Sequence, residues 1–283
     1  MQLDLNKVEK IISDSLAEDI GKGDITSNLV IPENAVIKAD FVTREKAILC
    51  GIPVLEKIFE RKKDDVEFFP NKIEGTSVSK DEIVFTVQGN ARVILAFERV
   101  ALNLLQYMCG IASLTRRYAE AISHTDVKIL DTRKTTPNLR VLAKYGVWIG
   151  GGKNHRFCLD DGILIKDNHL HVIGSIKSAI ERAKHNNDMI HPIEVECENL
   201  AQVEDAIKYG ADIILLDNMD IESIKKAVEI NAGKAQLEAS GGITLENLVK
   251  IAETGVNYIS VGALTHSAKS IDIGLDIKES NLN

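Results

Sequence analysis

The sequence predicts an α/β protein in two parts: an N-terminal α+β domain over 1–112, then an open α/β barrel over 113–269. A tail over 270–283 is expected to pack back on the N-terminal domain. Two observations predict this. The first hundred residues mix short alternating strands with helices. The last hundred repeat one unit, in which a β-branched apolar run is followed by an amphipathic helix. The runs IEVEC, IILLD, QLEAS and YISVG end at 197, 217, 240 and 262, spaced by 20, 23 and 22 residues. Strands alternating with helices imply right-handed crossovers and a parallel sheet. With VKILD (127–131) and ILIK (163–166) upstream, six such strands favour a barrel over an open sheet.

Taken in order, VIKADFVTRE (36–45) alternates in the strand manner, and AILCGIP (47–53) reads as a second strand. PVLEKIFERK (53–62) reads as a short helix with Pro53 in its first turn. EFFP and IVFTVQG (83–89) read as strands. From about 91 to 123 the periodicity is helical and apolar almost all round, the mark of a buried helix. Arg92, Arg99, Asn103 and Gln106 fall on one face of it. Arg99 cannot shed its charge, so it must meet an anion from another segment, another subunit or a ligand, or close an internal salt bridge. The helices ENLAQVEDAIKYG, IESIKKAVEINAG and TLENLVKIAETG each end at a glycine suited to a C-cap.

Composition bounds the function. Hydrophobic residues make up 45% of the 283 and charged residues 27%, enough for a sizeable core. Lys and Arg total 34 against 42 Asp and Glu, a formal charge of −8, which argues against nonspecific nucleic-acid or anionic-membrane partners. Yet 128–169 carries eight Lys/Arg against four Asp, a local basic stretch. The four cysteines lie far apart with no zinc-ligand spacing. The N-terminal stretch lacks the form of a signal peptide, and no apolar run reaches a membrane span, so a cytoplasmic protein is expected.

In α/β barrels the reacting groups sit at the C-terminal ends of strands. Those positions hold Thr132-Arg133-Lys134, Lys166-Asp167, Glu196, Asp217-Asn218, Ser240-Gly241-Gly242 and Gly262-Ala263. Arg133, Lys134, Arg156 and Lys166, with His155 adjacent, suit a dianionic or polycarboxylate ligand, because guanidinium groups grip carboxylates bidentately. Glu196 and Asp217, expected at one level on neighbouring strands, could hold Mg2+, steady positive charge at a sugar carbon, or pair with the nearby cations. The small residues of ASGGI (239–243) and VGALTHS (261–267) suit backbone N–H groups that cradle a phosphate. Gly150-Gly151-Gly152 permits either close backbone approach or a flexible loop. No dinucleotide fingerprint, P-loop or hydrolase elbow is present.

The motifs DTRKTTP (131–137), GGGKNHR (150–156), LIKDNH (164–169), IEVE (193–196), LLDN (215–218), EASGGI (238–243) and SVGALTHS (260–267) together resemble quinolinate phosphoribosyltransferases. EDIGKGDIT (18–26) and ERVALNLLQYMCGIA (98–112) are similar as well, so the likeness covers nearly the whole chain. The resemblance implies a TIM-like barrel, a homodimer, and transfer of phosphoribosyl from phosphoribosyl pyrophosphate (PRPP) to quinolinate with decarboxylation and Mg2+, giving nicotinate mononucleotide in NAD biosynthesis. By position it implies that Arg133, Lys134, His155, Arg156 and Lys166 bind the two carboxylates, with Thr132 beside them. Glu196 and Asp217 would face the ribose and the metal-bound pyrophosphate, and with Lys134 and Lys166 would be the catalytic set. Ser240, Gly241, Gly242, Val261, Gly262, Ala263 and His266 would surround the 5′-phosphate, and Arg99 would reach the partner's site. The chain departs from the family's usual pattern at Gly146 and Trp148, and at Asn138, where glycine is frequent. Rival readings are a phosphoribosyltransferase for a monocarboxylate such as nicotinate, a paralogue using another aromatic acid, and a non-catalytic phosphosugar sensor.

Overall fold

The computed structural model describes residues 3–188 and 191–282; Met1 and Gln2 of the N-terminal stretch read above lie outside them. The elements in chain order are α1 (Leu5–Ile20), α2 (Ile25–Val30), β1 (Val36–Thr43), β2 (Ala47–Ile48), α3 (Ile52–Glu60), β3 (Val66–Pro70), β4 (Ser77–Val78), β5 (Ile83–Asn90) and α4 (Ala91–Ala121). Next come β6 (Lys128–Leu130), α5 (Arg140–Ile149), β7 (Ile163–Ile165), α6 (Asp167–Ile173), α7 (Ile176–Asn186), β8 (Ile193–Cys197), α8 (Leu200–Tyr209) and β9 (Ile213–Asp217). The chain continues through α9 (Ile221–Asn231), β10 (Gln236–Ser240), α10 (Leu245–Ala252), β11 (Tyr258–Ser260), α11 (Ala263–His266) and β12 (Ile273–Ser280).

The chain divides into two compact units, and the division is not a single cut. The first holds Met1–Arg116, Thr135–Gly151 and Leu264–Asn283; the second holds Arg117–Lys134 and Gly152–Ala263. Helix α5, which the sequence assigns to the barrel segment, therefore belongs with the first unit.

In the first unit an antiparallel sheet runs β12-β1-β5-β3. Both long strands are buried through their middles, and Phe41 and Phe85 meet edge-on with 5.6 Å between ring centroids. Phe59 of α3 packs 6.2 Å from Phe41. The region 47–53 is not a full strand. Only Ala47–Ile48 pairs, with β4, because Gly51 turns at φ +126° and α3 begins at Ile52. Glu74 closes that helix end, accepting from Gly51 and Ile52 N–H at 2.8 and 3.0 Å. Helix α4 is long and apolar enough to cross a bilayer by length and composition, yet most of its apolar stretch is buried. Its polar stripe divides. Arg92 donates to Ile31 O and Gln106 to Ile273 O, while Arg99 and Asn103 face solvent.

Gly146 and Gly150 give α5 its approach to α4. A Cβ on Gly146 would lie 3.0 Å from Ile111, and one on Gly150 only 2.5 Å from Thr115 Cβ. Gly150, the first of the three glycines, thus serves close backbone packing, and Gly146 suits this contact better than any larger residue. Asn138 adopts φ +65°, the left-handed region that glycine favours and asparagine tolerates, which accounts for that departure from the family pattern.

In the second unit six strands run β6-β11-β10-β9-β8-β7, every pairing parallel. The edge strands β6 and β7 do not pair with one another, so the barrel is open. Val195, Ile214, Leu216, Leu237, Ala239 and Ile259 lie on the strand faces turned away from the barrel axis and are buried there, with 1% exposure or less. Helices α7, α8 and α9 start on Ser175, Asn199 and Asp220, whose side-chain oxygens accept the N–H three residues on. The glycine C-caps hold once: Gly210 ends α8 in the left-handed region, but Ala232 ends α9 and Glu253 ends α10. In those two the helix stops before the glycine is reached.

Candidate active site

The C-terminal ends of the barrel strands surround a cavity of about 520 Å3. Its wall contains Thr132, Arg133, Lys134, His155, Arg156, Lys166, Glu196, Asp217, Ser240, Gly241 and Gly242, so most of the residues singled out in the sequence meet in one place. Leu164, Leu215, Asn218, Glu238 and Ser260 complete it.

Arg133 and Lys134 follow β6, where Lys134 N–H donates to Thr132 Oγ1 and tightens the turn. Arg156 donates from Nη1 to Gly162 O at 3.0 Å, which draws the loop after it against the barrel. Burial lowers the Arg156 pKa, and the neighbouring Arg133 guanidinium lowers it further, while Glu194 opposes them. Two guanidinium groups that feel one another's charge form a receptor for an anion, because a bound dianion removes their repulsion.

Strand β7 pairs Ile165 with Val195, which brings the next residues, Lys166 and Glu196, within 3.1 Å between Nζ and Oε2. The acidic group is thus partly answered by its cationic neighbour. Glu196 and Asp217 do not lie at one level. The register opposes Glu196 to Leu215 and Asp217 to Ser240, so Asp217 stands one inward-facing position closer to the mouth. Adjacent parallel strands fix this offset, which spacing along the chain does not reveal. Asp217 Oδ2 accepts from Asn218 Nδ2 at 2.8 Å.

The turn after β10 has no room for a side chain at Gly241. Gly241 sits at φ +90° with Asn218 Oδ1 2.2 Å from where a Cβ would stand, and Gly242 at φ +60°. Val261 departs from expectation: it is 1% exposed, and its N–H donates to Leu130 O, so that N–H is not open to a phosphate. Gly262 and Ala263 follow it at the end of β11 but do not line the cavity. His266 closes α11 and belongs to the first unit, where its Nδ1 meets Ser267 Oγ at 2.6 Å. Arg99 is also in the first unit, exposed, with the Glu98 carboxylate 4.0 Å away rather than on another part of the helix.

Sequence reasoning missed the groups beneath the cavity. Asp131 is fully buried and accepts from Asn154 Nδ2 (2.6 Å) and from His155 N–H (2.9 Å). His155 Nε2 lies 3.0 Å from Glu194 Oε2 and 3.7 Å from Glu238 Oε2. Burial pushes the Glu238 carboxyl up to about 7, and Glu194 adds to the rise; His155 and the Ser260 hydroxyl pull the other way. The signal was present: in IEVEC and QLEAS, period two places Glu194 beside Glu196 and Glu238 beside Ser240 on the inward faces.

The residues 111–276 match the family model "Quinolinate phosphoribosyl transferase, C-terminal domain", and 24–109 match the corresponding N-terminal domain. A probable carboxylating nicotinate-nucleotide pyrophosphorylase of Bacillus subtilis is 42% identical over 275 residues, covering 97% of this chain and 95% of its own length. One from Methanocaldococcus jannaschii is 43% identical over 285 residues, covering 95% and 96%. The crystal structure of nicotinate-nucleotide pyrophosphorylase from Ehrlichia chaffeensis superposes with a TM-score of 0.94 at 45% identity, covering 98% of this chain and all of that one. With both domain models matched in order, the chain belongs to the quinolinate phosphoribosyltransferase family.

Proposed function

We propose that this chain transfers the phosphoribosyl group of PRPP to the ring nitrogen of quinolinate and releases pyrophosphate and CO2, leaving nicotinate mononucleotide. The observation that carries the reading is one cavity that joins Arg133, Arg156 and Lys166 to Glu196, Asp217 and the Gly241–Gly242 turn. Ionised quinolinate has two carboxylates, and the Arg/Lys side of the cavity offsets their loss of water. Held there, the ring nitrogen is aimed at the anomeric carbon, and a bimolecular encounter becomes an oriented one.

As the bond to pyrophosphate lengthens, positive charge gathers on the sugar, and the carboxylates of Glu196 and Asp217 steady it. The nitrogen lone pair forms the new N–C bond and the pyrophosphate takes the old bonding pair. The quaternary nitrogen then accepts the charge left when the adjacent carboxylate departs as CO2, and a proton replaces it on carbon. Mg2+ belongs to this reading. Carboxylate oxygens of Glu196 and Asp217 suit a hard cation and would hold it together with PRPP oxygens, where it supplies positive charge to the leaving pyrophosphate. Ser240, Gly241 and Gly242 would receive the 5′-phosphate.

A homodimer is part of the same proposal. Its support is an exposed apolar face on α2, where Ile25, Leu29 and Val30 are 74%, 80% and 66% exposed, together with the exposed Arg99 guanidinium on α4. A cytoplasmic setting is supported by relatives from a bacterium and an archaeon. The test is direct: incubate the protein with quinolinate, PRPP and Mg2+ and measure nicotinate mononucleotide, CO2 and pyrophosphate. Arg133→Ala and Arg156→Ala are expected to weaken quinolinate far more than PRPP. Turnover of nicotinate in place of quinolinate, or binding of PRPP without product, overturns the reading.

A further inference from the structure

We propose that Glu194 and Glu238 are positioning residues that hold His155 as a neutral imidazole with its proton on Nε2, so that His155 orients Arg156 and does not itself bind a substrate carboxylate. The backbone N–H of Arg156 donates to His155 Nδ1 at 2.7 Å, so Nδ1 must present its lone pair. The ring's proton then sits on Nε2, which faces Glu194 Oε2 at 3.0 Å with Glu238 Oε2 behind it at 3.7 Å. Both ring nitrogens are thereby spent inside the protein, and neither is left for a carboxylate in the cavity.

Two buried carboxylates face this one N–H. Glu194 and Glu238 have side-chain exposures of 5% and 2%, and Oε1 of each has no hydrogen-bond partner among the described residues. Glu238, on β10, also meets the Ser260 hydroxyl of β11, and Asp131 lies close enough to raise its pKa. Arg156 and its neighbour Arg133 bring the positive charge, and the Arg156 guanidinium feels Glu194. Burial raises the Glu238 pKa, and Glu194 Oε2, at 3.0 Å, is the nearer acceptor for Nε2–H.

The same three side chains bring a ligand atom each within 4.8 Å of one another, a spacing that a divalent cation could bridge. The Arg156 N–H argues against a cation. Ligation through Nε2 needs the lone pair there, and the proton could move only to Nδ1, where the amide already points. What the triad holds is a proton, and its product is direction: the peptide of Arg156 is pinned at its start, and the guanidinium is tied to Gly162 O at its end.

This inference rests on the reading that Arg156 grips a quinolinate carboxylate, but its first test does not. Long-range nitrogen–proton NMR of 15N-histidine-labelled, ligand-free protein, assigned by loss of the signal in His155→Gln, is expected to show a bare Nδ1 and a protonated Nε2 at neutral pH. An imidazolium at neutral pH, or a proton on Nδ1, overturns the proposal. So does stoichiometric binding of Zn2+ or Mn2+ alone that shifts the His155 signals.

The kinetic arm compares two variants. Glu194→Leu is expected to raise the quinolinate KM about tenfold, the scale of one lost buried hydrogen bond, and to leave the PRPP KM within about twofold. Glu194→Gln, which still offers a carbonyl acceptor, is expected to recover most of that loss. Equal losses for both substrates, or no recovery with Gln, overturn the positioning role. If wild-type protein makes no nicotinate mononucleotide, the function proposed above fails, and the NMR result still decides the tautomer.

Discussion

Replacing Glu238 with glutamine isolates the energetic cost of a carboxyl kept inside the barrel. Its folded pKa is raised to about 7 from its ordinary 4.5, first by burial and then by Glu194. The folded state therefore binds this proton more tightly than the unfolded chain does. Its contribution to stability is complete below about pH 4.5 and is lost as the pH rises through about 7. At about 1.36 kcal/mol per pH unit, the gap amounts to about 3 kcal/mol. Glutamine keeps the shape and never ionises. Urea unfolding of wild type and Glu238→Gln at about pH 5 and about pH 8.5 reads the difference, since groups away from the Glu238 cluster titrate alike in both. The two proteins are expected to match within about 1 kcal/mol at the lower pH, with the variant gaining up to about 3 kcal/mol relative to wild type at the higher. A stability difference that stays constant across this range refutes the reasoning, because it means that Glu238 does not change its protonation there.

Three further outcomes are expected. Gly241→Ala must place a Cβ against Asn218 Oδ1 at φ +90°, so the Asp217–Asn218 contact moves; the PRPP KM is expected to rise about tenfold with quinolinate binding spared, measured by steady-state kinetics. Asn138→Gly is expected to leave urea stability within about 0.5 kcal/mol, whereas Asn138→Val costs about 1–2 kcal/mol because a β-branched residue resists φ +65°. If Arg99 completes the site of a partner subunit, Arg99→Ala and Lys166→Ala proteins, each inactive alone, are expected to recover about a quarter of wild-type activity when mixed, since half the dimers then hold one intact site. No recovery after subunit exchange refutes the shared site.

The barrel was legible because its rhythm is local. IEVEC, IILLD and QLEAS form strands over the residues expected, and their C-terminal ends converge as parallel topology requires. What stayed hidden depends on register and on distant neighbours. Glu196 and Asp217 are separated by one inward-facing position that only strand pairing sets. Glu194 and Glu238 stand inside β8 and β10 and not at their ends, and a charge inside an apolar strand of a covered sheet must point to the interior. Helix α1 was also unread, though Val8, Ile11, Ile12 and Leu16 follow its buried face. The assignment of α5 to the first unit follows from Gly146 and Gly150 fitting α4, a contact between segments some thirty residues apart. The motif positions of Val261 and His266 could not reveal that one spends its N–H on β6 and the other lies in the first unit.

Strand β12 carries a consequence for how the chain is made. It pairs along nearly all of β1, and Val36 N–H donates to Asn281 Oδ1 across 245 residues. During synthesis from the ribosome, β1 and β5 emerge early, and one edge of their sheet waits bare while the whole of the second unit is translated. An unpaired edge is a template for other strands, so the nascent chain carries its greatest aggregation hazard through that interval. The interval ends only when β12 arrives and covers that edge from Ile37 to Thr43.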